Sequence, residues 1–294
     1  MRGTIRRIVA LAALPVAFGC RGDVANHAIE LPKGSLAEVT ADEWQRLAGR
    51  RLFFAHQSVG ANMLDGVQAV LKANPSIPLR VVEVADASAI QGTGLFHKRV
   101  GTNGKPSTKL AEFSEMTTAA FAGADAAGIA MLKFCYADVK GHTDPVALFE
   151  EYRRGVDALR AARPGVTIVH VTMPLWVDTG LIDHWGTIVL GKATPIRTLN
   201  AARHRFNELL REGYRGREPF FDLAALESVA PNGSVADARY DGGRVPSLAR
   251  EWTTDGGHLN DAARRRIAEL FLVTLAKLPS GPERVVSRAQ PPSA

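Results

Sequence analysis

Apolar residues fall into two kinds of run along this chain. Short, nearly continuous runs at 51–55 (ending LFFA), 79–84, 127–134 (AGIAMLKF) and Val166–Val171 read as strands, and 219–222 (PFFD) reads as a short fifth strand. Between them the apolar positions recur at helical period. Met63, Leu64, Val67, Val70 and Leu71 line one side of a segment that ends before Pro75. Helices are predicted likewise over 110–121, 146–162 and 194–214. A last one, capped by Asn260, carries Ile267, Leu270, Phe271, Val273, Leu275 and Leu278.

Strands that alternate with helices of this length predict an α/β domain with a mainly parallel, five-stranded sheet covered on both faces. The 129–132 run is apolar at every position, as a central strand buried from both sides requires. His170 lies inside an apolar strand and is expected to be a hydrogen-bonded core residue. The Gly-containing segment 91–105 reads as a loop. Segment 176–192 is longer than the usual strand-to-helix connection, which favours substrate contacts there.

Composition changes this picture mainly at the ends. The 294 residues are 46% apolar and 22% charged, an ordinary globular balance. Arg2, Arg6 and Arg7 precede an apolar run over 8–18 that is too short to span a membrane, so 1–19 reads as an export signal. Ala17-Phe18-Gly19-Cys20 resembles a bacterial lipoprotein signal. That resemblance implies a lipidated Cys20, attachment to a membrane of the bacterial cell envelope and a 20–45 tether; without lipidation the chain would be secreted or periplasmic. The folded domain is expected over 46–278 and a flexible tail over 279–294.

Cys135 is then left without a cysteine partner, and no intrachain disulfide is expected. The formal charge of +6 also shrinks: without Arg2, Arg6 and Arg7 the 36 basic residues become 33, against 30 acidic, a net +3. With no dense Lys/Arg block, nucleic acid is not expected as a partner. The eight histidines are scattered without metal-ligand spacing, so neither a metal nor another cofactor is expected.

Two short motifs carry candidate chemistry. In His56-Gln57-Ser58-Val59-Gly60, Ser58 lies just beyond the first strand and at the start of a helix, where a hydroxyl can be exposed beside anion-binding backbone N–H groups. The plainer reading is a helix N-cap serine. In Asp255-Gly256-Gly257-His258-Leu259-Asn260 the glycines let the chain fold back, so that the carboxylate reaches one imidazole nitrogen and leaves the other facing outward.

Taken together, an early strand-end serine, an α/β core and a late D-x-x-H before the final helix resemble the SGNH, or GDSL-like, hydrolases. The resemblance runs over about 51–275 and implies a three-layer α/β/α flavodoxin-like fold. It implies Ser58 as nucleophile, His258 as general base and Asp255 as its orienting carboxylate. The Ser58 and Gly101 backbone N–H groups would form the oxyanion hole. Two departures stand out. The usual Gly-Asp before the serine is His56-Gln57, and the usual G-x-N-D after the third strand is replaced by Lys133-Phe134-Cys135-Tyr136-Ala137-Asp138. Asn103, the Tyr136 hydroxyl and His56 are the candidates for supporting the oxyanion or binding substrate.

The implied activity is hydrolysis of a carboxylic ester, with O-acetyl groups on a cell-envelope glycan as the expected substrate. Two alternatives fit the same residues: an O-acyltransferase working through the same acyl-serine, and a noncatalytic glycan-binding lipoprotein.

Overall fold

The computed structural model describes residues 31–123, 127–180, 186 and 194–279. The signal, Cys20, most of the 176–192 loop and the tail beyond 279 lie outside them. Among the described residues the main sheet has six strands, all parallel: β1 (Arg51–His56), β2 (Val81–Glu83), β3 (Gly94–Arg99), β4 (Gly128–Leu132), β5 (Val166–Val171) and β6 (Phe220–Phe221). Their order is β2-β3-β1-β4-β5-β6.

Strand alternation sorts the side chains of β1 onto two cores. Leu52 and Phe54 join one with α1 (Ala41–Ala48), α2 (Ser58–Ala73) and α7 (Asp261–Ala276); Phe53 and Ala55 join the other with α3 (Pro106–Ala120), α4 (Pro145–Ala162) and α5 (Ile196–Tyr214). A short α6 (Leu223–Ser228) follows β6, and β7 (Asp237–Tyr240) and β8 (Gly243–Pro246) form a separate antiparallel hairpin. Its turn places both Asp241 (φ 49°) and Gly242 (φ 78°) in the left-handed region, the demand that an Asp-Gly pair meets.

Two expectations are corrected. The sheet has six strands instead of five, because 94–99 is a strand inside the segment read as a loop. Its Gly94 start and His97-Lys98-Arg99 end disguise it, yet it pairs along all of β1 and buries its first four residues. The second correction concerns the domain's start: α1 begins within the segment read as a tether. Thr40 and Glu43 form a reciprocal cap, and Trp44 and Leu47 are buried against the core. Asn260 caps α7 as expected, accepting from the Ala263 N–H at 3.1 Å. No described helix is long and apolar enough to cross a membrane.

This topology sets where chemistry can gather. From β1 the chain first crosses to the edge strand β2, steps back to β3 beside β1, and then passes to the other side of β1 as β4. The crevice beyond the carboxyl ends of β1 and β4 is therefore a topological switch point, the usual ligand site of open α/β sheets.

Candidate active site

Ser58 is the first residue of α2, directly beyond β1, and Gln57 occupies the cap position. The N-cap reading of Ser58 is thus excluded. The opening N–H groups of α2 have no residue four positions back within the helix to bond, so they form a partly positive end beside the serine hydroxyl. Gly60 is required for this start: a Cβ there would stand 2.3 Å from His56 Cβ.

The Asp255–His258 turn closes over α2 from the other side. The Leu259 N–H donates to Asn62 Oδ1 at 3.2 Å, which ties the histidine loop to the serine helix one turn beyond Ser58. Within the turn, Asp255 Oδ1 accepts from the His258 backbone N–H at 2.8 Å and the Gly257 N–H at 3.0 Å. Asp255 Oδ2 lies 2.6 Å from His258 Nδ1. The His258 backbone bond is the largest of the influences that hold this carboxyl far below the usual carboxylate range. The position next to a carboxylate fixes the proton on Nδ1 and directs Nε2 away from it.

Nε2 meets Tyr136. The phenol oxygen is 3.3 Å from His258 Nε2. Among the described residues no direct hydrogen bond joins Ser58 to His258. Tyr136 stands just beyond β4, and three neighbours position it. Trp176 packs edge-on at 4.7 Å between ring centroids, and Gly257 leaves room for the indole, since a Cβ there would lie 2.2 Å from it. Arg203, on α5, donates to the Tyr136 carbonyl at 3.0 Å and lies over the phenol ring at 5.9 Å. Burial raises the Tyr136 hydroxyl above its ordinary pKa.

Beneath Tyr136, Asp138 is held in a fully buried ion pair with Lys109. Lys109 Nζ lies 2.7 Å from both carboxylate oxygens. Asp138 also accepts from the Gly104 N–H at 2.9 Å and the Cys135 N–H at 2.7 Å, locking the loop after β3 to the turn after β4. Cys135 carries a free, buried thiol. Lys133 and Glu227 are likewise fully buried; burial draws the ammonium down and pushes the carboxyl up. Among the described residues no three His, Cys, Asp or Glu side chains group as metal ligands would.

The remaining expected site residues are committed elsewhere. The Gly101 N–H donates to Glu112 at 2.7 Å, which corrects its expected role as an oxyanion donor. Asn103 turns its carboxamide oxygen to Lys109 Nζ at 2.9 Å and serves the buried ion pair. His56 is 1% exposed, with Nδ1 2.9 Å from the Gln57 carbonyl and Nε2 3.1 Å from His97 Nδ1, so both ring nitrogens are used inside the fold. His170 is the satisfied core residue expected, between Tyr152 at 2.7 Å and Glu218 at 3.0 Å.

His56 yields a prediction about acid stability. Burial lowers its pKa from 6.5 to about 3. Between those values the unfolded chain binds a proton that the folded chain refuses, so stability falls as pH falls through the window, by about 1.4 kcal/mol per pH unit. Burial shifts His97 and His170 in the same direction, which steepens the decline. Urea unfolding between about pH 6 and pH 4 should record it, and His56→Gln should flatten the slope by one proton. An unchanged slope would contradict the assignment.

Sequence reading missed Asn62, Lys109, Trp176 and Arg203. Trp176 had a visible signal, an aromatic residue at the mouth of a long loop after β5. The other three look like ordinary polar positions on helices.

Ser58 beyond β1 and the Asp255–His258 turn before α7 lie together at one edge of a three-layer α/β/α sheet. No family model matches the chain, and no curated protein sequence matches it. Solved structures that resemble it do so at low identity. One is provisionally described as a platelet activating factor from Streptococcus pneumonia, with 12% identity, TM-score 0.45, and 80% of this chain and 90% of that one covered. Another is provisionally described as a GDSL-like lipase from Parabacteroides merdae, with 12% identity, TM-score 0.43, and 77% and 95% covered. A third is the periplasmic domain of a lipopolysaccharide acetyltransferase from Salmonella ser. Paratyphi A, with 12% identity, TM-score 0.38, and 76% and 82% covered.

Proposed function

We propose that this chain cleaves a carboxylic ester through an acyl-enzyme on Ser58, with His258 as general base and Asp255 as its orienting anion. The observation that carries the reading is the Asp255–His258 pair, with Oδ2 2.6 Å from Nδ1, in a turn that the Leu259 N–H ties to Asn62 one helical turn beyond Ser58. An imidazole held by an ionised carboxylate is a base whose second nitrogen is aimed at the serine's neighbourhood. The start of α2 supplies backbone N–H groups, the Ser58 N–H among them, for the tetrahedral oxyanion.

In the proposed reaction the Ser58 oxygen bonds to the ester carbonyl carbon while its proton leaves toward His258. The tetrahedral oxyanion collapses, the alcohol departs with a proton from the imidazolium, and water repeats the sequence to release the acid. The partial exposure of His258 and Asp255 supports access for an ester on a bulky carrier such as a glycan. An O-acetyl group is the proposed acyl unit.

The test is the intact mass of the protein, rapidly quenched after mixing with phenyl acetate. An acetyl increment mapping to Ser58, absent from Ser58→Ala, is expected. A folded Ser58→Ala protein that hydrolyses the ester at the wild-type rate would overturn the proposal. Faster emptying of the acyl-enzyme onto an added sugar than onto water would assign acyl transfer in place of hydrolysis.

A further inference from the structure

We propose that the cleft between the 177–180 segment, the end of α6 and the β7–β8 hairpin is the subsite for an uncharged sugar ring, the carrier of the ester. This rests on the serine mechanism above and deepens it. The cleft measures about 340 Å³, within the roughly 300–1,000 Å³ range of small-molecule sites. Asp178, Ser234, Asp237, Ser247 and Arg250 supply its polar lining, and Val177 and Leu248 part of its apolar one. A sugar offers the matching surface: hydroxyls that both donate and accept, set around C–H faces that need no partner.

Two of the carboxylates are fixed before any ligand arrives. Arg197 grips Asp178 with Nε 3.0 Å from Oδ1 and Nη2 2.6 Å from Oδ2, and Arg244 grips Asp237 in the same forked way. Acceptors held in place lose little freedom on binding. A carboxylate can accept about four hydrogen bonds, so both keep lone pairs for sugar hydroxyls. Arg250 donates from Nη2 to the Asp178 carbonyl at 2.8 Å and has further N–H groups to give. Charge then selects among sugars. Asp178, Asp237 and Glu251 share the lining with one guanidinium, so a carboxylated or phosphorylated sugar is disfavoured. Arg197 and Arg244, which stand outside the lining, neutralise Asp178 and Asp237, so a bare cation gains little there.

The cleft adjoins the proposed reacting groups. Its Val177 N–H donates to the Gly256 carbonyl at 2.9 Å, and its Leu248 N–H to the Trp176 carbonyl at 3.2 Å. Trp176 packs on Gly256 and Gly257, where an added Cβ would stand 3.0 and 2.2 Å from the indole. The cleft and the Asp255–His258 turn therefore share the Trp176-Val177 segment as a wall, which seats the sugar next to the turn that holds the base.

Methyl β-D-glucopyranoside titrated into the Ser58→Ala protein should shift the amide resonances of Ser234, Asp237 and Ser247 saturably, with glucuronate binding at least about tenfold more weakly. In turnover, the ratio of kcat/KM for methyl 6-O-acetyl-glucopyranoside to that for phenyl acetate should fall by about tenfold or more in Asp237→Ala, as when a hydrogen bond to a charged group is lost. Arg244 is exposed, so its loss of Asp237 should leave the fold intact. Ser234→Trp, which fills the cleft from an exposed position, should lower the ratio as much. No saturable shift, glucuronate bound as tightly as the glucoside, or an unchanged ratio in either folded variant would overturn the subsite while leaving the serine mechanism standing. Failure of a fluorophosphonate to label Ser58 in the wild-type protein would overturn that mechanism, and the carrier role with it, even where the sugar still binds.

Discussion

Replacing Ser58 by alanine is expected to lower kcat for a short-chain ester by on the order of 10⁴–10⁶-fold, the range seen when a Ser-His-Asp site loses its nucleophile. The change removes one oxygen at the first position of α2, where alanine is a good helix former, so the fold should persist. What remains is the background from the helix amides and from binding alone. His258→Ala should cost a similar factor, and Ser58→Ala/His258→Ala little more than either change alone, because the two groups act as one unit. The measurement is steady-state hydrolysis by folded variants. Losses that multiply in the double variant would contradict a shared proton-transfer chain.

Asp138→Ala is expected to destabilise the protein by about 3–5 kcal/mol, the largest effect on folding anticipated from one substitution here. Both partners of the Lys109–Asp138 pair are fully buried. Removing the carboxylate leaves the Lys109 ammonium with the Asn103 oxygen as its remaining described partner, and strips the Gly104 and Cys135 N–H groups of their acceptor. A lone buried charge costs far more than a pair replaced by apolar groups. Lys109→Met combined with Asp138→Ala should therefore recover a large part of the loss. Urea denaturation of the two single variants and the double variant measures this directly; an Asp138→Ala cost below about 1 kcal/mol would refute the account. Because Asp138 anchors the turn that carries Tyr136, the variant should also lose activity at temperatures where it remains folded.

The helices and the strands buried on both faces were legible because their apolar periods are local properties of the chain. The 58–73 and 261–276 helices keep a repeating apolar stripe, and 129–132 presents no polar residue to either face. The β3 strand was hidden because its polar end, His97-Lys98-Arg99, suits burial only once His56 and Glu112 are brought alongside it: His97 meets His56, and Lys98 pairs with Glu112 at 2.8 Å. The first helix was hidden for a related reason. Trp44 and Leu47 form too narrow an apolar face in isolation, and their partners lie at the other end of the domain.

The candidate site divides along the same line. Asp255 and His258 were legible as a pair, since three residues and two glycines bring their side chains together within one turn. Ser58 was legible as a strand-end residue at a helix start. The polar groups around them were not. Gly101 has the loop position and backbone (φ 58°) of an anion binder, yet Glu112, eleven residues on, takes its N–H. Tyr136 lies in the 133–138 segment, which lacks the asparagine that the resemblance implies, and only the packing of Trp176 and Arg203 gives its hydroxyl a direction.

The sequence by itself therefore determined the layering, the strand-end place of Ser58 and the Asp255–His258 contact, because hydrophobic period and short-range turn geometry are written within a few residues. Tertiary structure alone decided which polar groups face the serine, because a hydrogen bond needs a partner and an angle. For Tyr136 that partner, His258, lies 122 residues away in sequence.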